Sequence, residues 1–502
     1  MSATGPVPYR PHPHLYEINT WAWLEELSIK LGRRISLADV PDAEWDKIAS
    51  VGFDFVWLMG VWERSPVSRS FFQTDPSSFA GFDQALPGWK LSQIVGSPYS
   101  VRQYQPDPRI GSWKDLDRAR EQLHARHIGL ILDFVANHTA PDHPWVAAHP
   151  EYYLRGSQDD FRKDPAAFYL VPTDNPSAEP ALFAHGRDPY FPPWRDVVQL
   201  DYFRPAARAA LIAQLSEISQ HCDGVRCDMA MLVLNDIFAR TWAPLLAGRK
   251  APPREFWSEA IAALPREFVW LAEVYWNCET PVQKLGFQFT YDKGLYDALR
   301  DGDITGVHSR ISAPLAAQLH AARFLENHDE DRSAAVFGSA KLEAFATLIA
   351  TLPGMRFYHH GQLDGCKIHL PIPLAVAATE KSDAPTRSFY ERILKLSSER
   401  AFHSGEWNLL DVSSAGDNTF LNLAAYQWLS NSERRIVVVN LGNATSQGRV
   451  RIPQGISSAL QYTFLDQLHD VPYQRSGLEI LQSGLYVRLD AFRAHLFSVT
   501  PD

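Results

Sequence analysis

The chain has 502 residues, 45 % of them hydrophobic and 15 of them tryptophan, enough for a large core and more than one domain. Its net charge of −10, from 48 basic and 58 acidic side chains, comes with no basic run or stripe, so nucleic acid is not an expected partner. No apolar run is long enough to span a bilayer, so no membrane partner is expected either. No basic-then-apolar leader opens the sequence, and the four cysteines (Cys222, Cys227, Cys278, Cys366) show no C-x-x-C spacing. Reduced thiols in a cytoplasmic protein are expected, with neither a disulfide framework nor a zinc site.

"LYEINTW" (15–21) and "FDFVWLMG" (53–60) read as strands, separated by a helical pattern that stops at Gly52. Residues 112–129 read as a helix. Ser112 and Asp115 make an S-x-x-D cap, Leu116, Ala119 and Leu123 form the apolar stripe, and Gly129 marks the stop. "LILDFVANH" (130–138) follows as a buried strand. Residues 141–200, rich in proline, aspartate and aromatics, are too long for a strand-to-helix loop and predict a small inserted domain. Pro205 starts another helix, with Leu211, Leu215 and Ile218 on one face, and it feeds the strand in "GVRCD" (224–228). "FVWLAEVYW" (268–276), "GFQFTYD" (286–292), "RFLENHD" (323–329) and "GMRFYHHG" (354–361) continue the alternation, ahead of a last helix near 385–400.

Eight apolar strands alternating with helices imply a parallel sheet covered on both faces, and eight of them suggest a (β/α)8 TIM barrel of the α/β class. A doubly wound open sheet is the alternative, but no G-x-G-x-x-G follows the first strand. After residue 403 the period switches to two. "RRIVVVNLGN" (434–443) and "YVRLDAFRAHLFSV" (486–499) predict a C-terminal antiparallel β-sandwich. The expected divisions are barrel 1–140, insertion 141–200, barrel 201–403 and sandwich 404–502.

Polar side chains gather where the apolar runs end: Asp133 with Asn137 and His138, Arg226 with Asp228, Glu273, and His328 with Asp329. In a barrel those ends converge on one mouth, where active sites sit. Alternation places Arg226 and Asp228 on one face of their strand, an ion pair whose burial must be compensated by pairing and hydrogen bonds. Four carboxylate-bearing strand ends point to a site built from acids, with histidines as hydrogen-bonding partners.

"DFVANH" (133–138), "GVRCDMA" (224–230), "AEVYW" (272–276) and "FLENHD" (324–329) resemble the four ordered motifs of the α-amylase family of retaining glycoside hydrolases. The expected barrel, the insertion after its third strand and the terminal sandwich match that family too. The resemblance implies Asp228 as nucleophile, Glu273 as general acid/base and Asp329 as a stabiliser of the transition state. It further implies that Asp133 supports Arg226, that His138 and His328 donate to sugar hydroxyls, and that Tyr99, in "GSPYSVRQY" (96–104), packs on the sugar being cleaved. Retaining cleavage calls for these residue types independently, with one ionised carboxylate to attack the anomeric carbon and one protonated carboxyl for the leaving oxygen. Arg226 is expected to lower the pKa of Asp228, and the apolar neighbours of Glu273 to raise its own.

Trp276, just past Glu273, is a candidate leaving-group contact. Tyr190, Phe191 and Trp194 fit equally a sugar-stacking platform or packing of the insertion on the barrel. His359-His360 has no further ligand spacing and reads as structural. Calcium-dependent members of the family carry a Lys-His pair where this chain has "MAML" (229–232). Asn137 would match a calcium ligand, but the cage is incomplete, so no cofactor or required metal is expected. The leading reading is a hydrolase of α-glucosidic bonds in oligosaccharides or α-glucans. Transglycosylation or isomerisation with the same acids, and a non-catalytic sugar-binding relative, are the alternatives; the last would be expected to lack one of the acids.

Overall fold

Eight of the apolar runs are consecutive strands of one closed parallel barrel in the computed structural model, which describes residues 7–171, 180–430 and 433–502. Residues 172–179 of the expected insertion lie outside the described residues. The barrel strands are β1 (His14–Asn19), β2 (Phe55–Met59), β3 (Gly129–Val135), β4 (Gly224–Asp228), β5 (Val269–Ala272), β6 (Phe289–Tyr291), β7 (Ala321–Arg323) and β8 (Met355–His359). Each pairs with its neighbours in sequence, and β8 closes on β1 with Glu17 opposite His359. The open-sheet alternative is thereby excluded.

Several elements are shorter than the apolar runs suggest. The chain leaves β1 at Asn19, whose side chain accepts from the Ala22 N–H and caps helix α1 (Thr20–Leu31), so Thr20 and Trp21 are helical. Strand β7 ends at Arg323, where a strand through Asp329 was expected. Beyond it, Glu326 takes the Ser333 N–H, and the Asn327 side chain accepts from the N–H groups of Asp329 and Glu330. Such side-chain-to-backbone bonds compete with a sheet ladder and turn the chain. The expected helix over 112–129 runs from Trp113 to His124 (α2), with the Ser112 N–H donating to Asp115 at 2.8 Å as its cap pattern requires.

Between β2 and β3 the chain makes an excursion with no counterpart in the expected elements. Helices Pro66–Thr74 and Pro76–Ala85 pack Phe72, Phe79 and Trp89 around Phe82, Ile94 and Leu374, a small separate core beside the barrel. Between β3 and the helix Pro205–Ile218 lie the short antiparallel pairs Phe168–Leu170 with Leu182–Ala184, and His138–Thr139 with Val198–Gln199.

The C-terminal residues form a six-stranded and a three-stranded antiparallel sheet, enclosing Ile436, Val438, Phe464, Val487 and Phe497. The run 486–499 is two strands in different sheets, Leu485–Leu489 and Ala494–Pro501. Trp428 donates to the Thr351 carbonyl at 2.7 Å and ties this domain to the helix Gly338–Thr351. Among the described residues no helix is long and apolar enough to cross a membrane, and all four cysteines are free.

Gly354 enters β8 at φ +91°, and a Cβ there would stand 2.2 Å from the Ala321 carbonyl oxygen of β7. Gly32, past the end of α1, has φ +65° with open space around it. Gly32→Ala should therefore cost only about 1–2 kcal/mol from the left-handed backbone. Gly354→Ala adds a clash with backbone and should cost well over ~2 kcal/mol. Denaturant midpoints of the two variants check the order; equal losses would contradict the tight β7–β8 entry.

Candidate functional site

Strand β4 delivers the centre of the site. Arg226 and Asp228 project to the barrel interior, and Arg226 Nη1 donates to Asp228 Oδ1 at 2.8 Å. The other terminal nitrogen, Nη2, donates to Glu273 Oε2 at 2.7 Å and lies 4.0 Å from Asp329 Oδ2. One guanidinium thus bonds carboxylates from the end of β4 and just past β5, and lies close to a third from the turn after β7. Its third donor, Nε, reaches the Tyr291 hydroxyl on β6 at 3.3 Å, and its face lies over the rings of Tyr99 and Trp57 at 5.1 and 5.2 Å. Arg226 is fully buried, whereas the Asp329 side chain is 41 % exposed and faces the open mouth.

Glu273 is fixed from three sides. The Met229 N–H also donates to Oε2 at 2.7 Å, and the Tyr275 hydroxyl donates to Oε1 at 2.7 Å. Burial pushes its pKa up to about 7; Arg226 opposes the rise, and the charges of Asp228 and Asp329 add to it. Burial also raises Asp228; Arg226 lowers that carboxyl as anticipated, but burial outweighs it and the net shift is upward. Asp329 goes the other way. Burial raises it, yet the His328 imidazole and Arg226 prevail and bring it down to about 2.

Asp133, expected to support Arg226, lies beside it and makes its own hydrogen bonds elsewhere. It stands opposite Arg226 in the β3–β4 register, but it accepts from the Gly60 N–H at 2.7 Å and the Trp57 indole N–H at 3.2 Å. No hydrogen bond joins it to Arg226 among the described residues; that guanidinium donates to Asp228, Glu273 and Tyr291. Asp133 instead orients the indole on which Arg226 stacks. Burial pushes its pKa up to about 6, with Arg226 opposing.

His328 lies between two carboxylates. Its Nδ1 meets Glu17 Oε1 at 2.5 Å; its Nε2 lies 2.7 Å from the Tyr99 hydroxyl and 3.0 Å from Asp329 Oδ2. Burial disfavours a charge there, but Asp329 and Glu17 outweigh it and raise the imidazole well above its ordinary value. Tyr99 also stacks on this ring at 5.3 Å. His138 shares the floor, its Nε2 3.1 Å from the Tyr99 carbonyl oxygen.

Glu17 was missed by sequence reasoning. It is wholly buried on β1, and its Oε2 has no hydrogen-bond partner. The available signal was a lone acid inside "LYEIN", which polar strand ends further along the chain overshadowed.

Trp276 and Asn277 both adopt positive φ, +62° and +60°, in the turn after β5. That turn sets the Trp276 ring against the edge of Tyr190 at 4.9 Å. Tyr190 and Phe191 remain 69 % and 65 % exposed, while Trp194 packs on His138 at 5.3 Å. The two readings of this aromatic group therefore divide: Trp194 packs the floor, and Tyr190 stands with Trp276 at the rim. His359 is buried against Glu326 and Arg332, in keeping with a structural role. Asn137 offers its side-chain and main-chain oxygens to one Gln199 amide group, at 3.0 and 2.8 Å.

Residues 44–206 match the family model of the α-amylase catalytic domain. Alpha-amylase MalA of Haloarcula japonica is 24 % identical over 421 residues, which make up 82 % of this chain and 53 % of that protein. An α-1,4-glucan:maltose-1-phosphate maltosyltransferase of Streptomyces coelicolor is 30 % identical over 106 residues, covering 21 % of this chain and 15 % of that one. The chain spans about half the length of the curated relatives that it matches over long stretches. In fold it is similar to the maltogenic α-amylase AmyB of Thermotoga neapolitana, with a TM-score of 0.65, 18 % identity, and coverage of 97 % and 98 % of the two chains. A closed barrel whose acids converge on one arginine accompanies these similarities, which together support kinship with the α-amylase family.

Proposed function

We propose that the chain is a retaining glycosidase acting on α-glucosidic bonds of oligosaccharides or α-glucans. The supporting observation is the single guanidinium of Arg226, bonded to Asp228 and Glu273 and 4.0 Å from Asp329. Asp228 is the nucleophile. Although burial raises its pKa, Arg226 favours the ionised form, and Glu273, at about 7, retains the proton of the pair. Glu273 donates that proton to the leaving oxygen and afterwards takes one from water. Asp329, ionised and open to the mouth, faces the positive charge that develops at the anomeric carbon. Tyr99 offers the ring face under the sugar, and His328 and His138 hold the floor around it.

Transfer to a sugar acceptor is the second reading. The Trp276–Tyr190 rim offers an aromatic surface next to Glu273, and one partial match is named as a maltosyltransferase. Incubation with sucrose, trehalose, maltose, isomaltose and longer maltooligosaccharides, with products followed over time, separates the two. Free glucose or maltose from the outset supports hydrolysis; longer or rearranged glycosides preceding free sugar support transfer.

Azide distinguishes the two central acids. In Glu273→Ala an activated aryl α-glucoside still forms the β-linked intermediate on Asp228, and azide then attacks the α face without needing a base. The expected product is α-glucosyl azide, with net retention. In Asp228→Ala azide occupies the vacated space and attacks the β face, giving β-glucosyl azide with net inversion. Exchanged anomers, or no rescue of variants that bind the substrate, would overturn the assignment.

The pH profile tests Glu273 and Glu17 together. A carboxyl raised to about 7 is protonated below that pH, so kcat/KM of the native enzyme should fall as pH rises through about 7. Glu17→Gln removes the carboxylate behind His328, a charge-assisted hydrogen bond worth about 1.5–3 kcal/mol, so kcat/KM should drop roughly tenfold or more. His328 should also lose part of its raised pKa, visible in the imidazole NMR titration. An unchanged titration would separate Glu17 from the site.

A further inference from the structure

In the C-terminal domain, outside the site already described, Asp466, His469 and His495 converge. Asp466 ends the strand Gln461–Asp466, His469 lies three residues on in the following turn, and His495 is on the edge-to-edge partner strand Ala494–Pro501. Both imidazoles aim Nδ1 at one oxygen, Asp466 Oδ2, each at 2.7 Å, and the three atoms all lie within 4.8 Å of one another. We propose that these three residues bind a divalent transition-metal ion of the zinc class.

Three features beyond proximity favour a metal. First, the donor set of two imidazoles and one carboxylate suits zinc and its neighbours, with a fourth position left for water. Second, the carboxylate is pre-aligned. Its other oxygen accepts the N–H groups of Leu468 and Leu496 at 3.1 and 3.2 Å, and Asp466 is wholly buried. Oδ2 is thereby left to the histidines alone. Third, the remaining ring nitrogen of His469 meets a carboxylate, Glu343 Oε1, at 3.4 Å. Metal-bound histidines commonly donate their outer N–H to such a group, which fixes the tautomer and the ring plane.

Glu343 is itself held by the Ala494 N–H at 3.0 Å and by Arg493. The ring of His495 is packed by Phe497 and Tyr473 at 4.8 and 5.7 Å. The His469 side chain is 39 % exposed, which leaves an approach from solvent. Metal binding moves the N–H of each neutral ring from Nδ1 to Nε2, and releases one proton from any ring that starts as imidazolium. No cysteine takes part, which is why cysteine spacing gave no sign of the site. Because Glu343 belongs to the helix Gly338–Thr351 of the barrel, an ion here would also brace the sandwich against the barrel.

The test uses full-length protein stripped with chelator and titrated with Zn²⁺ against a chromophoric competitor, with Co²⁺ absorption as a second readout. One equivalent should bind, with the intense visible bands of a low-coordinate Co²⁺ site. Zn²⁺ but not Ca²⁺ should raise the melting temperature. His495→Gln should weaken binding more than tenfold without altering turnover, and Glu343→Gln should weaken it roughly tenfold. If His495→Gln fails to fold, the Co²⁺ spectrum and stoichiometry of the unaltered protein decide. Absence of a stoichiometric site, Co²⁺ bands of an ion bound by water alone, or unchanged affinity in folded His495→Gln would leave a His–Asp hydrogen-bonded cluster and overturn the proposal.

Discussion

A cation with no access to water organises this molecule. Arg226 sits inside the barrel, where an unpaired charge would be prohibitive, so each of its three nitrogens is met by an acceptor from the barrel. Asp228 and Glu273 accept from its two ends and Tyr291 from Nε, while Trp57 and Tyr99 present their faces. The requirement is mutual. Taking away the guanidinium would leave buried carboxylates uncompensated, a loss of about 3–5 kcal/mol for such a pair. The same contact that makes β4 foldable therefore sets the spacing of the acids.

The charge balance around that cation explains why the carboxylates behave differently. Asp133, Asp228, Glu273, Asp329 and Glu17 outnumber Arg226 and His328 five to two. Carboxylates crowded beside one guanidinium raise one another's pKa, and burial adds to the rise. Glu273, up at about 7, is boxed in by apolar neighbours and by the negative charge of Asp228. Asp329, down at about 2, has its own histidine and is open to water. Burial and pairing thus separate three chemically similar groups: Glu273 and Asp228 are raised by burial, Glu273 to about 7, while Asp329 is brought down to about 2.

Much of this was legible in the sequence, and the reason is periodicity. Fully buried parallel strands appear as unbroken apolar runs, so all eight were found, and an acid interrupting the end of such a run stood out at Asp133, Asp228, Glu273 and Asp329. What stayed hidden depended on contacts between distant residues. Glu17 and His328 are 311 positions apart and meet only because β8 closes on β1. Where Arg226 and Asp133 direct their hydrogen bonds cannot be read from β3 and β4 alone, so the bond from Trp57 to Asp133 was invisible in the sequence. Strand ends were overestimated where side chains compete for the backbone, as Asn19, Glu326 and Asn327 do. The helical excursion over 66–85 carries apolar residues for a private core, a pattern that resembles surface helix when its partner, Leu374, is almost three hundred residues away.

How the proposed enzyme divides a glycosyl intermediate between water and sugar turns on the rim, which is built differently from the floor. On the floor, Arg226, Glu273 and His328 are each tied by side-chain hydrogen bonds to other parts of the barrel. At the rim, the turn holding Trp276 and Asn277 at positive φ is a strained conformation for such residues, sustained by its surroundings. Its outer partner Tyr190 is mostly exposed and comes from the insertion. A sugar stacked there would enter with little polar guidance, since "MAML" supplies no side-chain donor where relatives place Lys-His, and Met229 offers its N–H to Glu273 instead. Aromatic stacking tolerates several ring orientations, whereas a lysine or histidine donor selects among hydroxyls. On the proposed reading, such a rim takes short or varied acceptors and leaving groups more readily than the fixed register of a long glucan.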